Sequence, residues 1–397
     1  MIIKYNSDGT AEWAHAVGGT STDSINSIAE TSDGGCIAVG SFASSSIDLG
    51  NEINIVNKGT NPYSDGIVIK YNAEGEVEWA KGIGGDRYES ICSVIETRDG
   101  GYLIGGNFNS KSIELENDIT LTNKSSSNTD FTGMLVKYSE SGEIEWAQEV
   151  GGTSSDSINS IAETSDGGYI VGGTIHSNMY RDNVLIESGG SGKILKYNSN
   201  GELQWARGVG KEILTVVETS NGNYIVGGDF DSETLELENG TVLTNKREAG
   251  ISNYAPGGMI IEFENTELPN PRVQDVKQIG GTQEEKIQAI TKTSDGGYIV
   301  GGFYRSNSID LGDGIVLKGY SFLNATGILV KYNAKEKVEW VKIIRCKWKK
   351  RTNKFSNRDK WWWIYSRRNI WRKSNRIRKW SKINKELYLW CRNDNKI

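Results

Sequence analysis

Several common chemistries lack their residues in this chain. It has two His, four Cys and four Pro in 397 residues. The cysteines, Cys36, Cys92, Cys346 and Cys391, have no CxxC spacing. They outline neither a disulfide framework nor a redox pair. His15 and His176 have no HxxxH partner, so no zinc site is readable, and no metal or cofactor is expected. There is no GxSxG elbow, and no glycine-rich loop opens a helix to cradle a phosphate. No catalytic set is therefore expected. No apolar run is long enough to span a bilayer, so membrane insertion is not expected. The start, MIIKYNSDGT, lacks the charged and apolar regions of a signal peptide. Apolar residues at helical spacing are missing too, which disfavours an α/β enzyme.

What is present is a repeated word. SDGGYIVGG stands at 165–173 and again at 294–302. Looser copies are SDGGCIAVG at 32–40, RDGGYLIGG at 98–106 and SNGNYIVGG at 220–228. Repetition on this scale decides architecture. Asp-Gly-Gly supplies a tight turn, and Tyr-Ile-Val is a strand run. The closing Gly-Gly is unfavourable in a strand unless another backbone approaches closely.

Six units start at Met1, Ile67, Met134, Lys193, Met259 and Ile328. The first strand of each ends in Lys-Tyr or a variant (IIKY, VIKY, LVKY, ILKY, IIEF, LVKY). The second strand centres on Trp13, Trp79, Trp146, Trp205 or Trp340; the fifth unit has none. The third is SINSIAET or a relative, and the fourth is YIVGG. A variable segment, with room for an extra hairpin, leads to the next unit. Spacings of about 66 residues fit a four-stranded propeller blade plus an insertion. The recurrent Trp read as packing between sheets, and His15 as a surface strand residue. The turn aspartates read as turn formers; calcium would need several convergent oxygen ligands, and one Asp per turn is too few.

The strings INSIAETSDGGYIVGG and LVKYSESGEIEWAQEVGG resemble the bacterial β-propeller repeats called SBBP. Their order is similar to that of NHL-type blades. The resemblance covers residues 1–344. It implies an all-β propeller whose blades run third, fourth, first, second strand, with the third strand lining the channel. Five blades are then complete and a sixth is broken.

Charge divides the chain. Of 45 basic and 51 acidic side chains, 19 and 3 lie after Ile344, so the first 344 residues carry −22. Such a body repels nucleic acid. Residues 345–397 have no Gly, Ala or Val, yet hold seven of the twelve Trp. One choice of codons for Asp-Gly-Gly-Tyr-Ile-Val-Gly-Gly, read one frame over, spells Trp-Trp-Ile-Tyr-Ser-Arg-Arg, which stands at Trp362–Arg368. This tail reads as a sixth unit translated out of frame, poorly ordered or only loosely strand-like. Residues 1–17 then form a ribbon whose blade partners are out of frame. Met1 aligns with the internal Met134 and Met259, which allows a longer parent frame with a signal peptide upstream.

Repeated residues build a ring; unrepeated ones are free to specialise. The candidates for ligand binding are Arg87 and Tyr88, then His176, Tyr180 and Arg181, then Tyr304 and Arg305. Tyr and Arg are favoured in binding hot spots. The expectation is a monomeric, non-enzymatic binding or display module of a secreted or cell-surface bacterial protein, with a protein or glycan ligand. The alternative is a sialidase-like glycan-processing enzyme, which needs arginines and carboxylates converging at the central mouth.

Overall fold

The computed structural model describes residues 1–59, 62–181, 184–187, 190–245, 256–265, 271–311, 314–318, 325–346 and 387–389. Each repeated word folds as its residues dictate. In the first, Asp33 Oδ1 accepts from the Thr31 hydroxyl at 2.6 Å and the Gly35 amide at 2.8 Å. Gly34 takes a φ of +82°, open to glycine at no steric cost. The same Thr-x-Asp-Gly-Gly turn recurs around Asp99, Asp166 and Asp295. The closing Gly-Gly is explained by close approach. A Cβ on Gly106 would stand 2.1 Å from the Ser90 carbonyl oxygen of its own blade. One on Gly105 would stand 2.7 Å from Ile158 and Ile161 of the next blade.

Five sheets result, each with four antiparallel strands and the fifth with one short parallel strand added at its outer edge, arranged as a five-bladed β-propeller with no helix among the described residues. Blade 1 comprises Asp23–Glu30, Cys36–Phe42, Asp65–Tyr71 and Val77–Ile83, in that order from the axis. Blade 2 comprises Glu89–Glu96, Tyr102–Phe108, Thr132–Tyr138 and Ile144–Val150. Blade 3 comprises Asp156–Glu163, Tyr169–Ile175, Gly192–Tyr197 and Leu203–Gly208. Blade 4 comprises Glu212–Glu218, Tyr224–Phe230, Gly257–Glu264 and Arg272–Ile279. Blade 5 comprises Glu285–Lys292, Tyr298–Tyr304, Thr326–Tyr332 and Val338–Cys346. Every blade thus joins the third and fourth strands of one unit to the first and second of the next. The insertions fold as five two-stranded hairpins, such as Ser112–Glu114 with Thr120–Thr122.

Inner strands carry a one-residue bulge, at Cys92 in blade 2 and Asn159 in blade 3. The bulge turns hydroxyls toward the neighbouring blade. Ser93 Oγ accepts from the Ile161 amide, Ser160 Oγ from the Val216 amide and Thr215 Oγ1 from the Ile290 amide. Inner-strand edges, which would otherwise be open to pairing, are tied to one another in this way.

The first-strand lysine is a structural residue that sequence reading passed over. Lys70, Lys137, Lys196 and Lys331 are buried, and each pairs with the Asp of the adjacent turn at 2.6–3.0 Å. Burial alone would raise the Asp33 carboxyl, but Lys70, Thr31 and the Gly35 amide outweigh it and hold it at about 2.

The tryptophans do bridge blades, though near the outer rim. The Trp13, Trp79 and Trp146 rings lie against Gly75, Gly142 and Gly201 in the turn of the following blade. Of these and Trp205, only Trp205 is buried, and the others are half-buried. His15 is not a plain surface residue: its ring stacks on Tyr71 at 5.6 Å and 18°. It belongs to the ribbon Ile2–Tyr5 and Ala11–His15, a separate two-stranded sheet laid against blade 1. Of the tail expected to be out of frame, Leu387–Leu389 pair parallel with the outer strand of blade 5. Nearly all the rest lies outside the described residues.

Candidate functional site

The axis of the ring is a cavity of about 470 Å³ lined by all five inner strands. Its walls include Ser27, Ser93, Ser160, Thr215 and Ala289, the bulge-flanking residues. At one mouth the inner strands end in Glu30, Glu96, Glu163, Glu218 and Lys292. Three of these carboxylates are committed to the fold. Glu96 accepts from the amide and hydroxyl of Ser32, Glu163 from the Arg98 amide, and Glu218 from the amide and hydroxyl of Ser165.

The other mouth begins with Asp23, Glu89, Asp156 and Glu285. Each clamps the loop before it through a glycine amide: Gly19, Gly85, Gly152 and Gly281. Each also takes a bond from a serine after the fourth strand: Ser44, Ser110, Ser177 and Ser306. Burial pushes Glu89 and Glu285 up to about 7, against the pull of these donors. Blade 4 departs from the pattern: Lys211 pairs with Asp231, and Lys286 reaches Asp229 at 2.9 Å and Glu212 at 3.1 Å.

This second mouth is the rim that carries the residues singled out from sequence, spread over different blades. Tyr88 is 36% exposed, and its ring meets that of Tyr63 edge-on at 4.8 Å. Arg87 donates to the Asn128 carbonyl at 3.3 Å. Beside them Asp65 is wholly buried, and burial raises its carboxyl. In blade 3, His176 Nδ1 lies 2.7 Å from the Ser155 carbonyl and Tyr180 is 54% exposed. Arg181 ends the strand Met179–Arg181, with its side chain outside the described residues. In blade 5, Arg305 pairs with Glu284 at 2.8 Å. Tyr304 is a wall of the core: fully buried, it donates to the Lys318 carbonyl at 3.3 Å. The contacts of Arg87 and Arg305 are thus made in separate blades.

Sequence reading missed a further cluster, between blades 4 and 5. Where other blades pair Lys with Trp across the first and second strands, blade 4 pairs Glu262 with Asp275. Lys277 bridges Asp275 and Glu336, and Asn223 donates to Glu262 at 2.7 Å. Glu336 occupies a turn position held by Gly9, Gly75, Gly142 and Gly201 elsewhere, and takes a φ of +57°. Burial, reinforced by the Glu262 and Asp275 carboxyls, pushes it up to about 8. The missing Trp in the fifth unit was the visible signal. An open cavity of about 480 Å³ lies beside this cluster.

No family model matches the chain. It is 25% identical over 185 residues to the regulatory protein FlaEY of Caulobacter vibrioides, spanning 45% of this chain and 19% of that protein. Among solved structures it is similar to a protein of unknown function from Bacteroides caccae, with a TM-score of 0.34 and 12% identity. That match covers 69% of this chain and 89% of the other. It is also similar to Sqt1 from Chaetomium thermophilum, with a TM-score of 0.37 and 11% identity over 80% and 83% of the two chains.

Proposed function

We propose that the propeller is a non-enzymatic binding or display module of a secreted or cell-surface bacterial protein, with its contact surface on the rim that bears Arg87, Tyr88 and Tyr180. The observation that carries this reading is the contrast at that rim. The repeated carboxylates are bound to the fold's own amides and hydroxyls, while the unrepeated Tyr88 and Tyr180 stand exposed. Exposed, rigid Tyr beside Arg provides contact area at low conformational cost, for a protein or a glycan. Glycan and peptide arrays probed with the full chain test the reading. Binding lost in Tyr88→Ala or Tyr180→Ala, with the melting temperature unchanged, supports it. Binding insensitive to both refutes the assigned surface.

One observation favours the alternative of a glycan-processing enzyme. Glu89, pushed up by burial to about 7, opens the inner strand next to the loop that holds Arg87 and Tyr88, and a carboxyl kept protonated near neutral pH is what a general acid requires. Against it, Glu285 carries the same shift at the equivalent position of blade 5. That recurrence marks the clamp as architecture. Hydrolysis of aryl glycosides that disappears in Glu89→Gln but persists in Glu285→Gln would establish the enzyme instead.

A further inference from the structure

The closed seams between blades share one set of parts. A pair of apolar residues on each inner strand faces the blade before it. In blades 2 to 5 these are Ile91 and Val94, Ile158 and Ile161, Ile213 and Val216, and Ile287 and Ile290, all 0–6% exposed. They pack onto the blade before, as Ile158 and Ile161 do on Gly105 and Ile213 and Val216 on Gly172. A hydroxyl from the earlier blade then takes the amide of the second residue. At the first three of these seams a glutamate at the end of the inner strand takes the earlier blade's turn, and blade 5 has Lys292 in its place.

Blade 1 presents all these parts with nothing opposite them among the described residues. Ile28 is 39% exposed, and Ile25 is only partly buried. Glu30 is exposed. Among the described residues nothing covers the facing side of blade 5 either. A Cβ on Gly301 would meet nothing closer than Leu329 of its own sheet, at 3.5 Å, where Gly105, Gly172 and Gly227 are crowded by the next blade. On the outer side of the gap lies the ribbon Ile2–Tyr5 and Ala11–His15. Lys4 donates to the Gly34 and Ala73 carbonyls of blade 1, and Trp13 to that of Ala73. Trp79 treats the next turn the same way, donating to the Glu140 carbonyl. The ribbon therefore occupies the outer half of a blade. Among the described residues, Ile2–Tyr5 pairs only with Ala11–His15 and has one free edge.

We propose that this gap is an acceptor site for a two-stranded hairpin of the repeat's own third-and-fourth-strand type, which adds to the free edge of Ile2–Tyr5 and completes a sixth blade. The parts name the occupant. Its inner strand carries a Ser or Thr to take the Ile28 amide, and its Ser-Asp-Gly-Gly turn offers an amide and hydroxyl to Glu30. A pair of isoleucines on it packs on Gly301, and its closing Gly-Gly leaves room for Ile25 and Ile28. Strand addition of this kind draws affinity from main-chain bonds and specificity from alternate side chains. Codons that spell the repeated word one frame over from Trp362–Arg368 would encode such a hairpin. The proposal is independent of the tyrosine rim.

The test adds a labelled synthetic peptide with the sequence of residues 154–175 to the full chain. Anisotropy reports binding, and hydrogen exchange reports the amides of Ile2–Tyr5 and Ile28. Saturable binding is expected, with both sets of amides protected. Alanine at the peptide positions matching Ser160 and Ser165 should weaken it about 5-fold each, the worth of one hydrogen bond. Gly301→Val in the chain should abolish it without lowering the melting temperature. A scrambled peptide that binds equally well overturns the proposal, as does binding indifferent to Gly301→Val. A concentration-dependent dimer that protects Ile2–Tyr5 without peptide also overturns it, because the edge then belongs to a second copy.

Discussion

The buried clamps at Glu89 and Glu285 make stability depend on pH with a sign opposite to that of most carboxylates. Both side chains are essentially unexposed, and burial pushes both up to about 7. An unfolded-chain Glu titrates near 4.3, so the difference is about 2.5 units, or about 3.5 kcal/mol per residue at full ionisation. Between those values the folded state binds more protons than the unfolded one, so stability falls as pH rises from about 4.5 through about 7. Asp229 and Glu336, raised chiefly by burial to about 6 and about 8, slope the same way. Asp33, held at about 2, loses its contribution only as pH falls below about 4, outside this window. Replacing Glu285 by Gln keeps one acceptor for the Gly281 and Ser306 donors and removes the ionisation. The loss of one good bond costs about 1 kcal/mol at any pH. Glu285→Gln should therefore be slightly less stable than the parent at pH 5 and about 2 kcal/mol more stable at pH 8. Guanidinium unfolding at half-unit steps from pH 5 to 8 measures both the slope and the crossing. An equal loss at both ends of the range refutes the reasoning, because it means that the carboxylate is ionised in the fold and fully satisfied there.

Gly106→Ala should cost about 3 kcal/mol, since its Cβ meets the Ser90 carbonyl, whereas Gly301→Ala should be neutral or slightly stabilising; a pair of thermal melts decides it. Lys137→Met keeps the buried stem but releases Asp99 and Glu145, both half-exposed and able to resolvate, so a loss of about 1–2 kcal/mol in chemical unfolding is expected. Glu336→Gly relieves a non-glycine φ of +57° and takes one acid from the Glu262 and Asp275 cluster. It should raise the melting temperature at pH 8 more than at pH 5. Trp79→Ala opens the contact with Gly142 and the bond to the Glu140 carbonyl, and native-state exchange should speed first in the turn around Gly142.

The propeller could be read from sequence because its determinants are local and repeated. Thr-x-Asp-Gly-Gly closes its own turn through bonds two residues apart, and one exact duplicate is enough to show the period. Blade composition was legible for the same reason, since the third and fourth strands of a unit precede its neighbour's first two. The buried lysines were not legible. Lys in VIKY looks like a charge at a strand end, and only the packing of Asp33 and Glu78 around Lys70 reveals it as an interior group. Tyr304 failed for the converse reason. It looked like a departure after the repeated word, but it occupies the core position of Phe42, Phe108 and Phe230, where one large ring replaces another. The cluster at Glu262, Asp275 and Glu336 shows how departures become informative. Taken singly, a missing Trp, an Asn for the turn Asp and a Glu for a turn Gly read as three unrelated substitutions. In the ring they fall at one seam, where each is a condition of the others. Without the turn carboxylate there is no partner for a buried lysine, so Glu262 turns to Asn223 instead, and Lys277 supplies the cation from the neighbouring strand. A single departure from a repeat is ambiguous; departures that converge in space, as these do and as the scattered Arg87 and Arg305 do not, are the ones that define a distinct local chemistry.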